Sequence, residues 1–172
     1  MDGHVRYFER QQFRQRWLWA VLLGTILPAL ALLGYGAWRQ LVRRQPFGNQ
    51  PMSDRGLGVF TIFMSLVLAG VLLLLWRMRL DIRVTDDTLV LDFIPMRRKR
   101  IPLREIVEAR ARTYDPLLEY GGWGIHYGFM NGWAYNVSGR EGVQLVLADG
   151  RKLLVGSQRA AELERALTSP RR

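Results

Sequence analysis

With two histidines, no cysteine and no recognisable nucleophile motif, this 172-residue chain has few means of covalent chemistry. His4 and His126 are too far apart to suggest a ligand pair, and a lone histidine in a strand usually serves structure. Ser138 precedes Gly139, but the Gly-x-Ser-x-Gly elbow that would expose a nucleophile is missing. Gly121, Gly122, Gly124 and Gly128 could suggest a phosphate loop, yet no Gly-Lys-Ser/Thr follows and the stretch opens no helix. These glycines fit bulges or close backbone packing better. The sequence therefore predicts no catalytic residue, no metal and no cofactor, and points to a chain that is not an enzyme.

Two patterns suggest recognition instead. Arg97, Arg98, Lys99 and Arg100 form the one dense run of charge, and Arg77 and Arg79 follow an apolar stretch closely. Each cation near an anionic leaflet contributes about 1 kcal/mol of attraction, so these six residues are the candidate lipid-headgroup contacts. A solvated loop that only reinforces topology is the alternative for the run. Residues 119–139 carry Tyr120, Trp123, Tyr127, Phe129, Trp133 and Tyr135, more aromatic side chains than one small core needs. Core packing and cross-strand pairs account for part of the set. Tyr120, Trp123, Tyr127, Trp133 and Tyr135 are the candidate partner contacts, the exposed ones forming a protein-contact or membrane-facing patch, because interfaces are enriched in aromatics.

The elements that must carry these residues begin in lipid. Residues 57–76 read LGVFTIFMSLVLAGVLLLLW, without charge and without the polar stripe that a soluble core helix shows. At about 1.5 Å per residue the stretch covers roughly the 30 Å of a hydrocarbon core. Residues 17–38 form a second uncharged run, with Trp17 and Trp19 at one rim and Tyr35 and Trp38 at the other. Pro28 predicts a kink there. A cleaved signal peptide would be shorter and would end in a small-residue cleavage site, so the run reads as a retained span.

The flanks set orientation. Residues 1–16 form a basic tail whose arginines, Arg6, Arg10, Arg14 and Arg16, are spaced mostly along one side of a helix lying on headgroups, although a frayed tail fits as well. Residues 39–56 are a short turn-rich loop that makes the helices antiparallel neighbours, and Gly24, Gly34, Gly36, Gly58, Ala69 and Gly70 would permit close contact between them. The tail and the segment after the second span outweigh the loop in basic residues, which predicts an integral inner or plasma membrane protein with both termini cytoplasmic. The formal charge of +10 sits mainly beside the spans, so an anionic membrane and not nucleic acid is the expected partner.

Residues 77–172 form the folded domain. Leu80, Ile82 and Val84, then Leu89, Leu91 and Phe93, alternate with other side chains on either side of Asp86-Asp87, predicting a hairpin. Pro95 and Pro102 mark the basic run as an edge strand or loop. A tight turn at 102–106 and a strand at 107–114 follow. Asn131-Gly132 predicts a two-residue hairpin turn, with further hairpin joints at 139–142 and at Asp149-Gly150. Ser157 is the expected N-cap of a helix at about 158–168 that Pro170 ends. The strands and closing helix describe a small antiparallel barrel or sandwich.

Two spans followed by this order resemble the bacterial pleckstrin-homology-like (PH-like) membrane proteins. The resemblance is carried by residues 80–93, the Ile-Pro-Leu-Arg-Glu-Ile turn at 101–106, and residues 142–167 with the Asp149-Gly150 hairpin. Residues 119–139 resemble an uncharacterised group within that set. The resemblance implies a fold more firmly than an activity.

The functional expectation is a membrane-anchored PH-like module that binds a protein partner, a second copy of itself or anionic headgroups at the cytoplasmic face. No small-molecule substrate is indicated. The alternative is an accessory subunit of a membrane enzyme or transporter complex, against which stands the lack of charge inside either span.

Overall fold

The computed structural model describes residues 4–169, and the chain separates into a helical unit, Arg14–Trp76, and a β unit formed by residues 4–13 and 77–169. The first strand therefore precedes the helices: β1 (Val5–Gln12) belongs to the β unit. This corrects the expectation of a helical or frayed tail. The arginine spacing that suited a helix also suits a strand, and Tyr7, Glu9, Gln11 and Phe13 are buried while Phe8 and Arg10 are exposed. Pairing with a later strand decides the matter, because β1 lies antiparallel to residues 79–85, with Gln12 opposite Arg79.

In the helical unit, α1 (Arg16–Ala37) contains Pro28 and runs on into a π-helical turn, Trp38–Val42; α2 spans Asp54–Arg77. Both helices are long and apolar enough to cross a membrane, and only 6% of each apolar window is buried. The loop between them is ordered by Gln40, whose amide donates to the Met52 carbonyl at 2.6 Å and to Asp54 at 2.9 Å. Phe47 folds over Gly36, where a Cβ would stand 2.8 Å from its ring. Gly24, Gly34 and Gly70 do not serve helix contact as expected, since no packing neighbour comes within 4 Å of where a Cβ would stand, whereas at Gly58 Leu41 lies 3.9 Å away.

The β unit holds two sheets. β1, β2 (Arg79–Thr85), β3 (Thr88–Ile94) and β4 (Arg97–Pro102) form an antiparallel meander in that order, so the basic run is an edge strand. The second sheet comprises β5 (Ile106–Thr113), β6 (Gly124–Gly128), β7 (Gly132–Asn136), β8 (Glu141–Leu147) and β9 (Lys152–Gly156), ordered β5-β8-β9-β7-β6. The architecture is an open sandwich and not a closed barrel, since the sheets keep separate edges. Leu80, Ile82, Leu91 and Phe93 of the first sheet and Val143, Leu145 and Leu153 of the second make the fully buried core. The other face of the second sheet carries a smaller cluster of Tyr114, Tyr120, Ala134 and Leu154. A short helix not anticipated from the sequence, α3 (Pro116–Tyr120), covers it, capped by Asp115 accepting from the Leu117 and Leu118 amides.

Three connections differ from expectation. β7 lies parallel to β9 and β8 pairs with β5 and β9, so residues 137–140 cross over and do not make a hairpin. Gly128 pairs with Gly132, which makes the β6–β7 loop three residues, Phe129, Met130 and Asn131. The closing helix α4 (Ala160–Thr168) begins later than expected: Ser157 accepts from the Arg159 amide at 3.0 Å in the turn before it. Ala160, Leu163 and Leu167 are its buried face, and the Pro170 stop lies outside the described residues. The β8–β9 hairpin at Asp149-Gly150 forms as expected.

Candidate functional site

The basic run acquires meaning from its register. Phe93 faces Arg97, Leu91 faces Lys99 and Leu89 faces Ile101 across the β3–β4 ladder. Cross-strand partners share a face, so Arg97 and Lys99 occupy positions on the core side of an edge strand. Ile101 closes the interior there. The two cations instead line a groove of about 340 Å³ at the mouth of the sandwich, together with Trp133, Tyr135, Arg151 and Lys152, and Arg98 and Arg100 of the same strand also border it. Lys99 Nζ lies 5.8 Å from the Tyr135 ring centroid. Burial, with repulsion from Arg151 and Arg97, holds the Lys99 ammonium below its ordinary pKa, and Asp149 opposes the shift. An anion in the groove would relieve that repulsion.

The rest of the expected headgroup set divides. Arg98 takes the opposite face of β4 and pairs with Asp92; Arg100 shares that face and is exposed. Arg77 is exposed at the end of α2, and Arg79 begins β2 with its Nε 3.7 Å from Asp81. Neither Arg77 nor Arg79 lines the groove. Sequence order does not suggest Arg151 and Lys152, at the start of a strand in the other sheet, as partners of the basic run.

The aromatic set divides too. Tyr135 is 1% exposed and Tyr120 is buried in the α3 cluster, which corrects their assignment as partner contacts. Desolvation pushes both phenols above their ordinary pKa. Trp123 is half-buried, with Nε1 donating to the Gly139 carbonyl at 3.3 Å. Tyr127 and Trp133 are exposed and meet edge to face at 5.5 Å, and Tyr127 meets Phe129 at 6.3 Å. His126 is engaged locally, its Nε2 3.0 Å from the Trp123 carbonyl. Ser138 accepts from the Gln158 amide at 3.2 Å.

The β6–β7 tip projects Phe129 and Met130, 98% and 86% exposed. Its base is fixed. Glu119 accepts from Arg112 at 2.7 Å, from the Asn131 amide at 2.8 Å and from the Asp115 backbone at 2.9 Å. Arg112 holds the Glu119 carboxyl below the usual carboxylate range. Gly132 takes φ +74°, and a Cβ there would stand 2.1 Å from the Lys152 carbonyl, so only glycine lets β7 approach β9.

A third cluster escaped the sequence reading. Glu9, 6% exposed, accepts from the Tyr7 hydroxyl, from Ser157 at 2.5 Å, and from the Gln11 amide and Gln158 backbone at 2.9 Å each. Burial and the neighbouring carboxylate push the Tyr7 phenol well above its ordinary pKa. The cluster joins β1 to the segment before α4. The only hint in the sequence is the alternation Tyr7-Glu9-Gln11, which places polar groups on the buried face against the usual pattern.

Neither a scan against protein-family models nor a search of curated proteins finds a match to this chain.

Proposed function

We propose that the chain is a non-enzymatic, membrane-tethered PH-like module whose groove takes the phosphate of an anionic lipid headgroup at the cytoplasmic face. The observation that carries this reading is the placement of Arg97 and Lys99 on the core side of an edge strand, where apolar residues normally stand, with Arg151 and Lys152 facing the same space. Inward charge on an edge strand discourages sheet-to-sheet association, and here it also lines an opening of headgroup size. Arginine and lysine together suit a phosphate, the one by its planar fork and the other as a point charge. A four-stranded meander, a second sheet and a closing helix support the PH-like reading of the fold. Two helices of membrane-spanning length, joined to the β unit by residues 13–15 and by Met78, supply the tether.

The test is lipid retention by the full chain in neutral detergent, measured by native mass spectrometry during titration with phosphatidylglycerol or phosphatidylcholine. At about 1 kcal/mol per cation, the Arg97→Ala/Lys99→Ala double variant should bind phosphatidylglycerol roughly 30-fold more weakly. Arg77→Ala/Arg79→Ala, outside the groove, should bind as the parent does. Equal retention of phosphatidylglycerol by the parent and the groove variant overturns the reading.

A further inference from the structure

We infer that the β6–β7 tip is a bilayer-inserting wedge, with Phe129 and Met130 entering the acyl region while Tyr127 and Trp133 stand at headgroup depth. The inference extends the headgroup reading of the groove, but it rests on different residues.

The two tip side chains are almost wholly exposed, and the rings beneath them form a continuous layer through Tyr127. Apolar side chains above an aromatic belt match the polarity gradient of a membrane interface. The tip is also pre-organised. Glu119 holds Asn131 on one side of the loop, and Gly128 brings the hairpin so close to α3 that a Cβ would lie 2.5 Å from the Glu119 carbonyl. Insertion therefore requires little further ordering of the backbone.

Charge selects the occupant. Residues 120–140 contain no aspartate or glutamate. Lys152 reaches the Met130 carbonyl at 3.4 Å, and Trp133 belongs both to the tip's ring layer and to the wall of the cationic groove. The apolar tip is thus continuous with positive charge, which an anionic bilayer complements. A second copy meeting this face across a two-fold axis would set the same cations against each other.

The absence of cysteine makes the test clean. Met130→Cys and, as an aqueous reference on α4, Ala161→Cys are spin-labelled in the full chain and reconstituted into phosphatidylcholine vesicles containing phosphatidylglycerol. The Met130 label should show several-fold higher collision with oxygen and several-fold lower collision with a water-soluble nickel chelate than the Ala161 label. Equal accessibility at the two sites overturns the proposal. Spin–spin broadening at Met130 that vanishes on dilution with unlabelled chain assigns the tip to a second copy and overturns it as well. Repeating the measurement in the Arg97→Ala/Lys99→Ala background separates the two readings: a label still shielded from nickel supports the wedge whatever becomes of headgroup selectivity. An aqueous label in a chain that still retains phosphatidylglycerol overturns the wedge alone.

Discussion

Replacing Glu9 tests whether the segment before the helices is an integral part of the β unit. Glu9→Ala removes the acceptor shared by Tyr7, Ser157, Gln11 and the Gln158 amide. Tyr7 and Ser157, 3.1 Å apart, can then bond each other, which leaves the Gln11 amide with only its bond to the Gly156 carbonyl at 2.8 Å and the part-buried Gln158 N–H without its acceptor. At about 1–3 kcal/mol for each unsatisfied buried group, offset by relief of the buried carboxylate's desolvation, the net loss is about 3 kcal/mol. Glu9→Gln keeps one carbonyl oxygen for Gln11 and Gln158, and the two hydroxyls can rotate to accept from the new amide, so it should cost only about 1 kcal/mol. For a domain of roughly a hundred residues these losses lower the melting temperature by about 12 °C and about 4 °C respectively. Circular dichroism of the full chain in mild detergent, followed through the melting of strand signal, reads both. A Glu9→Ala melting temperature within a degree or two of the parent's would refute the clasp, and equal losses for the two variants would refute the reasoning about which donors matter.

Two further outcomes follow from single residues in the second sheet and in the short helix α3 beside it. Gly132→Ala should destabilise the β unit by about 3 kcal/mol, because the methyl collides with the Lys152 backbone as well as straining φ; Gly121→Ala, with φ +76° but open space around it, should cost only about 1 kcal/mol. Chemical denaturation of the two variants side by side checks the contrast. The Glu119 carboxyl is held below its ordinary pKa by Arg112, so its contribution is fully present above the unfolded value of about 4.3 and is lost as pH falls through the lower folded value. Hydrogen exchange in the β6–β7 loop should therefore be flat from neutral pH to about pH 5, after correction for intrinsic rates, and should accelerate at lower pH; Glu119→Gln should abolish that step.

Periodicity made much of this chain legible. Two uninterrupted apolar runs fixed two long helices, because no soluble helix needs apolar side chains around its whole circumference. Strict alternation at Leu80, Ile82 and Val84 and at Leu89, Leu91 and Phe93 fixed the central hairpin, and Pro95 and Pro102 marked β4 as an edge. The chemistry of Asp149-Gly150 fixed its turn. Each of these is a local property, written within a dozen residues of where it acts.

What the sequence left open depends on partners distant in the chain. Val5–Gln12 reads as tail or helix until residues 79–85 pair with it, and Glu9 looks like surface charge until Ser157 and Gln158 close over it. The run from Arg97 to Arg100 shows four equivalent cations; only register against β3 turns Arg97 and Lys99 inward, and only the arrival of β9 adds Arg151 and Lys152. Likewise the aromatic stretch could not be sorted by type: Tyr120 and Tyr135 sank into cores on opposite faces of one sheet, whereas Tyr127 and Trp133 stayed outside. Local pattern determined the elements because backbone preference and amphipathicity act between near neighbours. Tertiary structure decided the site because burial and electrostatic environment are set by whichever strands pack together.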